Sequence, residues 1–235
     1  MTKITIAIDG YSSTGKSTIA RQLAKKLGYV YVDTGAMYRA ITFFALQNKF
    51  ISNTHFDKKA LVKHLDKAKI TFKFNEENGI AEVYLNNVNI EQQIRTLEVS
   101  QYVSQIATVS EVRKQLVKQQ QLMGKEKGVV MDGRDIGTVV FPDAELKIFM
   151  VASAEERAKR RYQELLGRGD RVSFEEVLEN VVKRDYIDSN RKDSPLKKAE
   201  DAIEIDNSSL SIDEQFSQIL ELAKRAIADK AEKLP

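Results

Sequence analysis

At 235 residues the chain can bury roughly 70 to 75% of the surface its unfolded form exposes, so its core needs neither disulfides nor a structural metal. It has no cysteine, which excludes a thiol nucleophile, a disulfide scaffold and Cys-ligated zinc, and two histidines, His55 and His64, are too few for most His-rich metal sites. A net charge of +3 is far from the basic balance of a dedicated nucleic-acid binder, so nucleic acid is not an expected partner. The opening MTKITIAIDG has no basic region leading into a long apolar run, and no apolar stretch approaches the roughly 18 residues needed to span a bilayer. A soluble, cytoplasmic protein without membrane association is expected.

In chain order, KITIAID at 3–9 is a short β-branched apolar run ending in Gly10 and predicts a buried strand. Ile19, Leu23 and Leu27 then recur at helical spacing until Gly28 stops the helix. A second strand is predicted at 29–32, and further apolar runs at 128–132, 146–152 and 202–206 alternate with helical stretches at 110–123, 154–166, 173–192 and 211–229. Strands alternating with helices indicate an α/β fold around a mainly parallel, doubly wound sheet. Residues 33–127 exceed what one crossover helix requires, so something is inserted there. Ile70, Phe72 and Phe74, the turn signal Asn78-Gly79 and the alternating AEVYL at 81–85 predict a small antiparallel sheet flanked by helices.

The most specific signal is Gly10-Tyr11-Ser12-Ser13-Thr14-Gly15-Lys16-Ser17, which matches G-x-x-x-x-G-K-[ST] between a predicted strand and a predicted helix. Its glycines let the backbone wrap a phosphate and helix N-terminal amides point at it. Lys16 supplies a positive charge, and Ser17 can bind Mg²⁺. A nucleotide-driven switch, a mechanical ATPase and a small-molecule phosphotransferase all use such a loop. No Asn-Lys-x-Asp tetrad is present, since Asn48-Lys49 runs into Phe50-Ile51, and little chain remains for the coupling elements of a mechanical ATPase. A phosphotransferase needs arginines at the carboxyl ends of the strands for a second substrate. Asp33-Thr34-Gly35-Ala36-Met37-Tyr38-Arg39 follows the second strand, and Asp132-Gly133-Arg134-Asp135 follows the third. Helix capping accounts for Asp33-Thr34 equally well, but it does not account for Arg134 between two acids.

Of 13 arginines, seven fall between residues 157 and 191, a segment that is either a phosphate clamp or a solvated helical face. Ser173 with Glu176 forms a capping box, and Arg184, Asp188 and Arg191 then share one helix face. Upstream, Arg157 and Arg161 stand one turn apart ahead of Gly167-Arg168-Gly169-Asp170-Arg171. A charged, glycine-punctuated connection of this kind suits a closing lid, with an exposed loop as the plainer reading.

These segments together resemble the bacterial cytidylate kinases, nucleoside monophosphate kinases of the P-loop class. The likeness runs through the phosphate loop, DTGAMYR at 33–39, IRTLEVSQYVSQIATVSEVR at 94–113, MDGRDIGTVVFPDAELKIFMVASAEERAKRR at 131–161 and KRDYIDSNR at 183–191. It implies a five-stranded parallel sheet of the P-loop type, with core segments at about 1–33, 127–153 and 173–235. An acceptor-binding insertion with the small antiparallel sheet would occupy about 34–126, and a helical lid about 154–172. The implied activity is ATP- and Mg²⁺-dependent phosphorylation of CMP and dCMP, by an expected monomer. The implied ATP site is Gly10, Tyr11, Ser12, Ser13, Thr14, Gly15, Lys16, Ser17 and Thr18. Arg39, Arg134 and Arg191 would take the acceptor phosphate in a pocket with Thr34, Tyr38 and Asp132. Ser104, Arg113 and Asp135 would read the cytosine edge, and Arg184 and Asp188 would hold the sugar. Lys16, Arg134, Arg157, Arg161 and Arg191 would carry the catalytic charge, with Arg168 in the closing loop. A kinase for UMP or a small alcohol, or a nucleotide-binding regulatory or RNA-associated ATPase, are the alternatives. Members commonly have Pro after the first glycine and Gly-Ala before the second; Tyr11 and Ser13-Thr14 depart from that pattern.

Overall fold

The computed structural model describes residues 2–75 and 80–232. In chain order it comprises β1 (Thr5–Gly10), α1 (Lys16–Leu27), β2 (Val30–Asp33), α2 (Thr34–Gln47), α3 (Lys58–Lys63), β3 (Ile70–Asn75), β4 (Ile80–Leu85), β5 (Val88–Asn89), α4 (Leu97–Ile106) and α5 (Ser110–Met123). There follow β6 (Val129–Gly133), β7 (Leu146–Val151), α6 (Ala154–Gly167), α7 (Phe174–Asn190), β8 (Ile203–Asp206) and α8 (Ile212–Glu232). The chain forms two compact units, Met1–Thr34 with Gln119–Pro235, and Gly35–Lys118.

The first unit is built on a five-stranded parallel sheet in the order β2-β6-β1-β7-β8. Strands covered on both faces have no polar side to present, which is why the central β1, β6 and β7 read as largely apolar runs. All six residues of β1, at the centre, are buried. Ile4, Ile6 and Ile8 join Val130, Leu146, Ile148 and Met150 in one core that Ile19 and Leu23 of α1 and Ile219 and Ala223 of α8 complete. Gly28 ends α1 in the left-handed conformation, φ 67°, and its N–H closes on the Ala24 and Lys25 carbonyls. Register pairs Asp33 with Asp132, Asp9 with Gly133 and Gly10 with Met150, so the loops leaving β2, β6, β1 and β7 emerge along one edge. Among the described residues no helix is long and apolar enough to cross a membrane.

In the second unit β3 and β4 pair antiparallel from Ile70–Leu85 to Asn75–Ile80, and the short β5 adds to β4. The Asn78-Gly79 turn signal lies outside the described residues. The apolar alternation on β3 is buried only at its start, because Ile70 is covered while Phe74 is 68% exposed. On β4 the inward residues Val83 and Leu85 are both buried.

Truncating the central strand tests this core. Ile6→Ala removes a fully buried side chain from the core that α1 and α8 complete, and urea unfolding should show a loss of about 3 to 4 kcal/mol without a new fold.

Candidate active site

The phosphate loop starts where β1 comes into contact with β7. A Cβ on Gly10 would lie 2.1 Å from the Met150 carbonyl oxygen, so only glycine fits, and its φ of +143° is likewise a glycine conformation. Ser13 adopts φ 60° and Gly15 φ 87°, and these two left-handed residues turn the chain into α1. Lys16 is buried and folded across the loop. Its ammonium donates to the Tyr11 carbonyl and, at 3.1 Å, to Thr14 Oγ1. Burial first, and then the Arg134 guanidinium, hold its pKa well below the ordinary lysine range. Ser12 Oγ is buried and has no hydrogen-bond partner among the described residues.

At the base of the loop Ser17 Oγ donates to Asp132 Oδ2 at 2.9 Å, and Tyr31 Oη donates to Asp132 Oδ1 at 2.8 Å. Asp132 ends β6 in a buried position. Desolvation, followed by repulsion from Asp33, raises its pKa from 3.8 to about 6. Thr34 donates its hydroxyl to the Asp132 carbonyl at 2.7 Å and so ties the end of β2 to β6.

Beyond β6, Arg134 Nε donates to Asp188 Oδ2 at 3.1 Å and Nη1 to its neighbour's carbonyl, Gly133 O, at 3.1 Å. Arg191, just past the end of α7, donates Nε to Ser194 O at 2.7 Å. Its guanidinium stands 3.8 Å from Asp135 Oδ1 and 3.9 Å from Asp188 Oδ1. Arg184, Asp188 and Arg191 are all buried, as helical spacing on one face requires. Burial, then Arg134, lowers the Arg184 pKa to about 10. On α6, Arg157 makes a bidentate pair with Asp185 of α7 at 3.0 and 2.6 Å, and its Nη1 also donates to the Ser12 carbonyl at 3.3 Å. Arg161 pairs with Glu164 at 2.8 Å, and Glu164 also receives Arg168.

Thr18 lies in α1, and Tyr38, Arg39, Ser104 and Arg113 lie in the second unit. There Arg39 Nη1 donates to Ile94 O at 3.4 Å, and the Arg113 guanidinium stacks over the Tyr38 ring at 5.4 Å while Nη1 reaches Ala107 O at 3.4 Å. Ser104 Oγ is buried without a hydrogen-bond partner among the described residues.

Several contributors escape sequence spacing. Asp9, whose two oxygens accept from the Ile136 and Gly137 amides at 2.8 and 2.7 Å, was visible only as an acid inside an apolar strand. Asp185 meets Arg157 across 28 positions, beyond any single-helix rule. Asn207, which belongs to no motif, donates to the Thr14 carbonyl at 2.6 Å, and Arg160 donates to Asn207 Oδ1 at 3.1 Å.

A parallel sheet whose first strand runs through a glycine-rich turn into a helix, with a buried lysine, a Ser–Asp pair and clustered arginines, defines a P-loop phosphotransferase. A sequence model described as "Cytidylate kinase" matches residues 6–225. The chain is 65% identical over 227 residues to the "Cytidylate kinase" of Flavobacterium johnsoniae, with 97% of this chain and 99% of that one covered. It is 63% identical to that of Flavobacterium psychrophilum, covering 94% and 98%, and 55% identical to that of Parabacteroides distasonis, covering 97% and 99%. The chain belongs to the cytidylate kinase family and is an enzyme, a kinase.

The raised pKa of Asp132 has a consequence for the ligand-free fold. Between 3.8 and about 6 the folded chain holds that proton more tightly than the unfolded chain, so stability falls as pH rises through this window. Asp9, also raised from 3.8 to about 6 chiefly by burial, adds a slope of the same sign. Asp132→Asn should therefore flatten, without abolishing, the decline seen by denaturant titration between about pH 4 and pH 6.5.

Proposed function

We propose that this enzyme transfers the γ-phosphoryl group of ATP to CMP and dCMP, giving the nucleoside diphosphate and ADP. The observation that carries the reading is the family match over nearly the whole chain, and a phosphate loop in which Lys16 bonds Thr14 Oγ1 and Ser17 bonds Asp132 supports it. Donor phosphates would lie in the loop of residues 10–18, against the Lys16 ammonium and the N-terminal amides of α1. Ser17 and Asp132 present hard oxygens 2.9 Å apart, a donor set suited to Mg²⁺, which takes one or two protein ligands and completes its shell with water and substrate phosphates. When bound, that ion neutralises phosphate charge.

Arg134 and Arg191, held by Asp188 and by backbone carbonyls, would receive the acceptor phosphate together with Arg39. An acceptor phosphate oxygen is already nucleophilic, so no covalent intermediate is needed; the side chains screen two anionic substrates and align them. Ser104, Arg113 and Asp135 would read the cytosine edge, Arg184 and Asp188 the sugar, with Thr34, Tyr38 and Asp132 lining the same site. Arg157 and Arg161 would stabilise transferred charge, and residues 154–172 would close as a lid.

ADP release assayed across CMP, dCMP, UMP, AMP and GMP tests the reading. CMP and dCMP should dominate, whereas release without any acceptor would indicate a regulatory ATPase. Arg191→Lys keeps charge but loses the planar fork, so kcat/KM should fall by about tenfold or more for CMP and UMP alike, their ratio nearly constant. A strong change in that ratio would move Arg191 out of phosphate binding.

The lid is checked by hydrogen exchange. Adding ATP analogue and CMP together should protect residues 155–172 more than either does alone, and equal exchange in the free and doubly bound protein would leave that segment a passive connection.

A further inference from the structure

The segment after β6 is a single π-turn, Ile136–Val140, in which the Val140 and Phe141 amides reach back five residues to the Asp135 and Ile136 carbonyls. The first amides of such a turn have no partner within it. By sequence position Asp135 is the residue to cap them, since an aspartate preceding a helical turn ordinarily accepts from the amides that follow. It does not: its side chain makes no capping bond. Asp9, 126 positions earlier and on another strand, caps the turn instead, with one oxygen on Ile136 N at 2.8 Å and the other on Gly137 N at 2.7 Å. The approach is close. A Cβ on Gly137 would stand 3.4 Å from Asp9 Oδ2 and 3.2 Å from Lys147 Cδ.

Two results follow from this one carboxylate. Asp9 directly precedes Gly10, so the strand end that starts the phosphate loop is bonded to the segment carrying Arg134 and Asp135. And because the amides are already occupied, the Asp135 carboxylate is not drawn onto its own turn but stands 3.8 Å from Arg191.

We propose that Asp9 is a positioning residue for the acceptor nucleotide: by capping the 136–140 turn from β1 it directs the Asp135 side chain to the acceptor base and fixes Arg134 relative to the phosphate loop. This rests on the reading of Asp135 as a base-contacting group. Asp9 is buried and each of its oxygens already accepts from an amide, so it acts through the residues it holds.

Steady-state kinetics of Asp9→Asn and Asp135→Ala, with CMP and UMP as acceptors, test it. The amide can accept only one of the two N–H groups and sets its own NH₂ against the other, leaving a cap that Asp135 can take over. Asp9→Asn should remain folded by circular dichroism, lower kcat/KM for CMP by about 30-fold, lower the CMP:UMP ratio, and leave KM for ATP within about threefold. In the double variant the ratio should fall no further than in Asp135→Ala alone. Equal weakening of donor and acceptor kinetics would show a purely structural role and overturn the proposal. So would an unchanged CMP:UMP ratio in Asp9→Asn when Asp135→Ala shifts it. If Asp135→Ala leaves the ratio alone, the base-reading assignment falls, and selective loss on the acceptor side then decides for or against Asp9 as the anchor of Arg134. Should Asp9→Asn fail to fold, Gly137→Ala presses on the same contact from the other side and is judged by the same measurements.

Discussion

Buried cations that stand close together repel one another, and the first unit is arranged around that repulsion. Lys16 and Arg184 are both buried, and each has Arg134 as its next strongest depressing influence. A lone buried cation would lose its proton or leave the interior. Here carboxylates keep the cations in place: Asp188 holds Arg134 and stands near Arg191, Asp185 holds Arg157, and Asp132 and Asp9 support the charge on Lys16. The carboxylates are themselves strained by burial, as the raised values of Asp132 and Asp9 show. Arriving phosphates would relieve the repulsion among the cations, since they supply negative charge that the acids provide only in part.

How much of this was legible depended on whether the signal was local. The five strands of the parallel sheet and the helices at 110–123, 154–167 and 174–190 lie within a few residues of where apolar runs and periodicity put them, and in the central strands β1, β6 and β7 burial on both faces leaves a clear composition. The capping box at Ser173 and Glu176 closes as spaced, with both bonds present. The π-turn could not be read, because DIGTVV has the composition of a strand and its geometry depends on Asp9 from elsewhere in the chain. Nor could the two-residue β5, which is defined by pairing with β4 rather than by pattern. In the site, residue types and motifs were visible, while the partners that orient them, Asp185, Tyr31 and Asn207, come from tertiary pairing.

The unusual phosphate loop also has a physical account. The Tyr11 ring meets Phe149 edge-on at 6.2 Å and lies beneath the Arg157 guanidinium at 5.1 Å. The aromatic face thereby adds a cation–π contact to an arginine that already bonds the neighbouring Ser12 carbonyl. Ser13 takes the left-handed conformation that a glycine would adopt freely, at a cost on the order of 1 kcal/mol. The loop therefore keeps its turn and gains a tie to α6.

A second tie constrains how α6 can move. Asn207 is fully buried at the end of β8, and its amide donates to the Thr14 carbonyl and, at 2.7 Å, to Gln215 Oε1. Its Oδ1 and carbonyl accept from Arg160 at 3.1 and 2.8 Å. An aspartate could not substitute, because it would set a carboxylate oxygen against two acceptors in a site without water access. Arg157 and Arg160 thus hold the first turns of α6 to the phosphate loop and to β8. A lid that swung α6 from its first residue would break both sets of bonds together. Beyond their chain neighbours and local helix backbone, Gly167 and Gly169 have no atom of the described residues within 4 Å of where a Cβ would stand, and Gly169 already has a φ of +85°. Rotation at that connection disturbs neither tie, so the proposed closure is cheapest when the hinge lies beyond Arg161 and the anchored half of α6 stays with the phosphate loop.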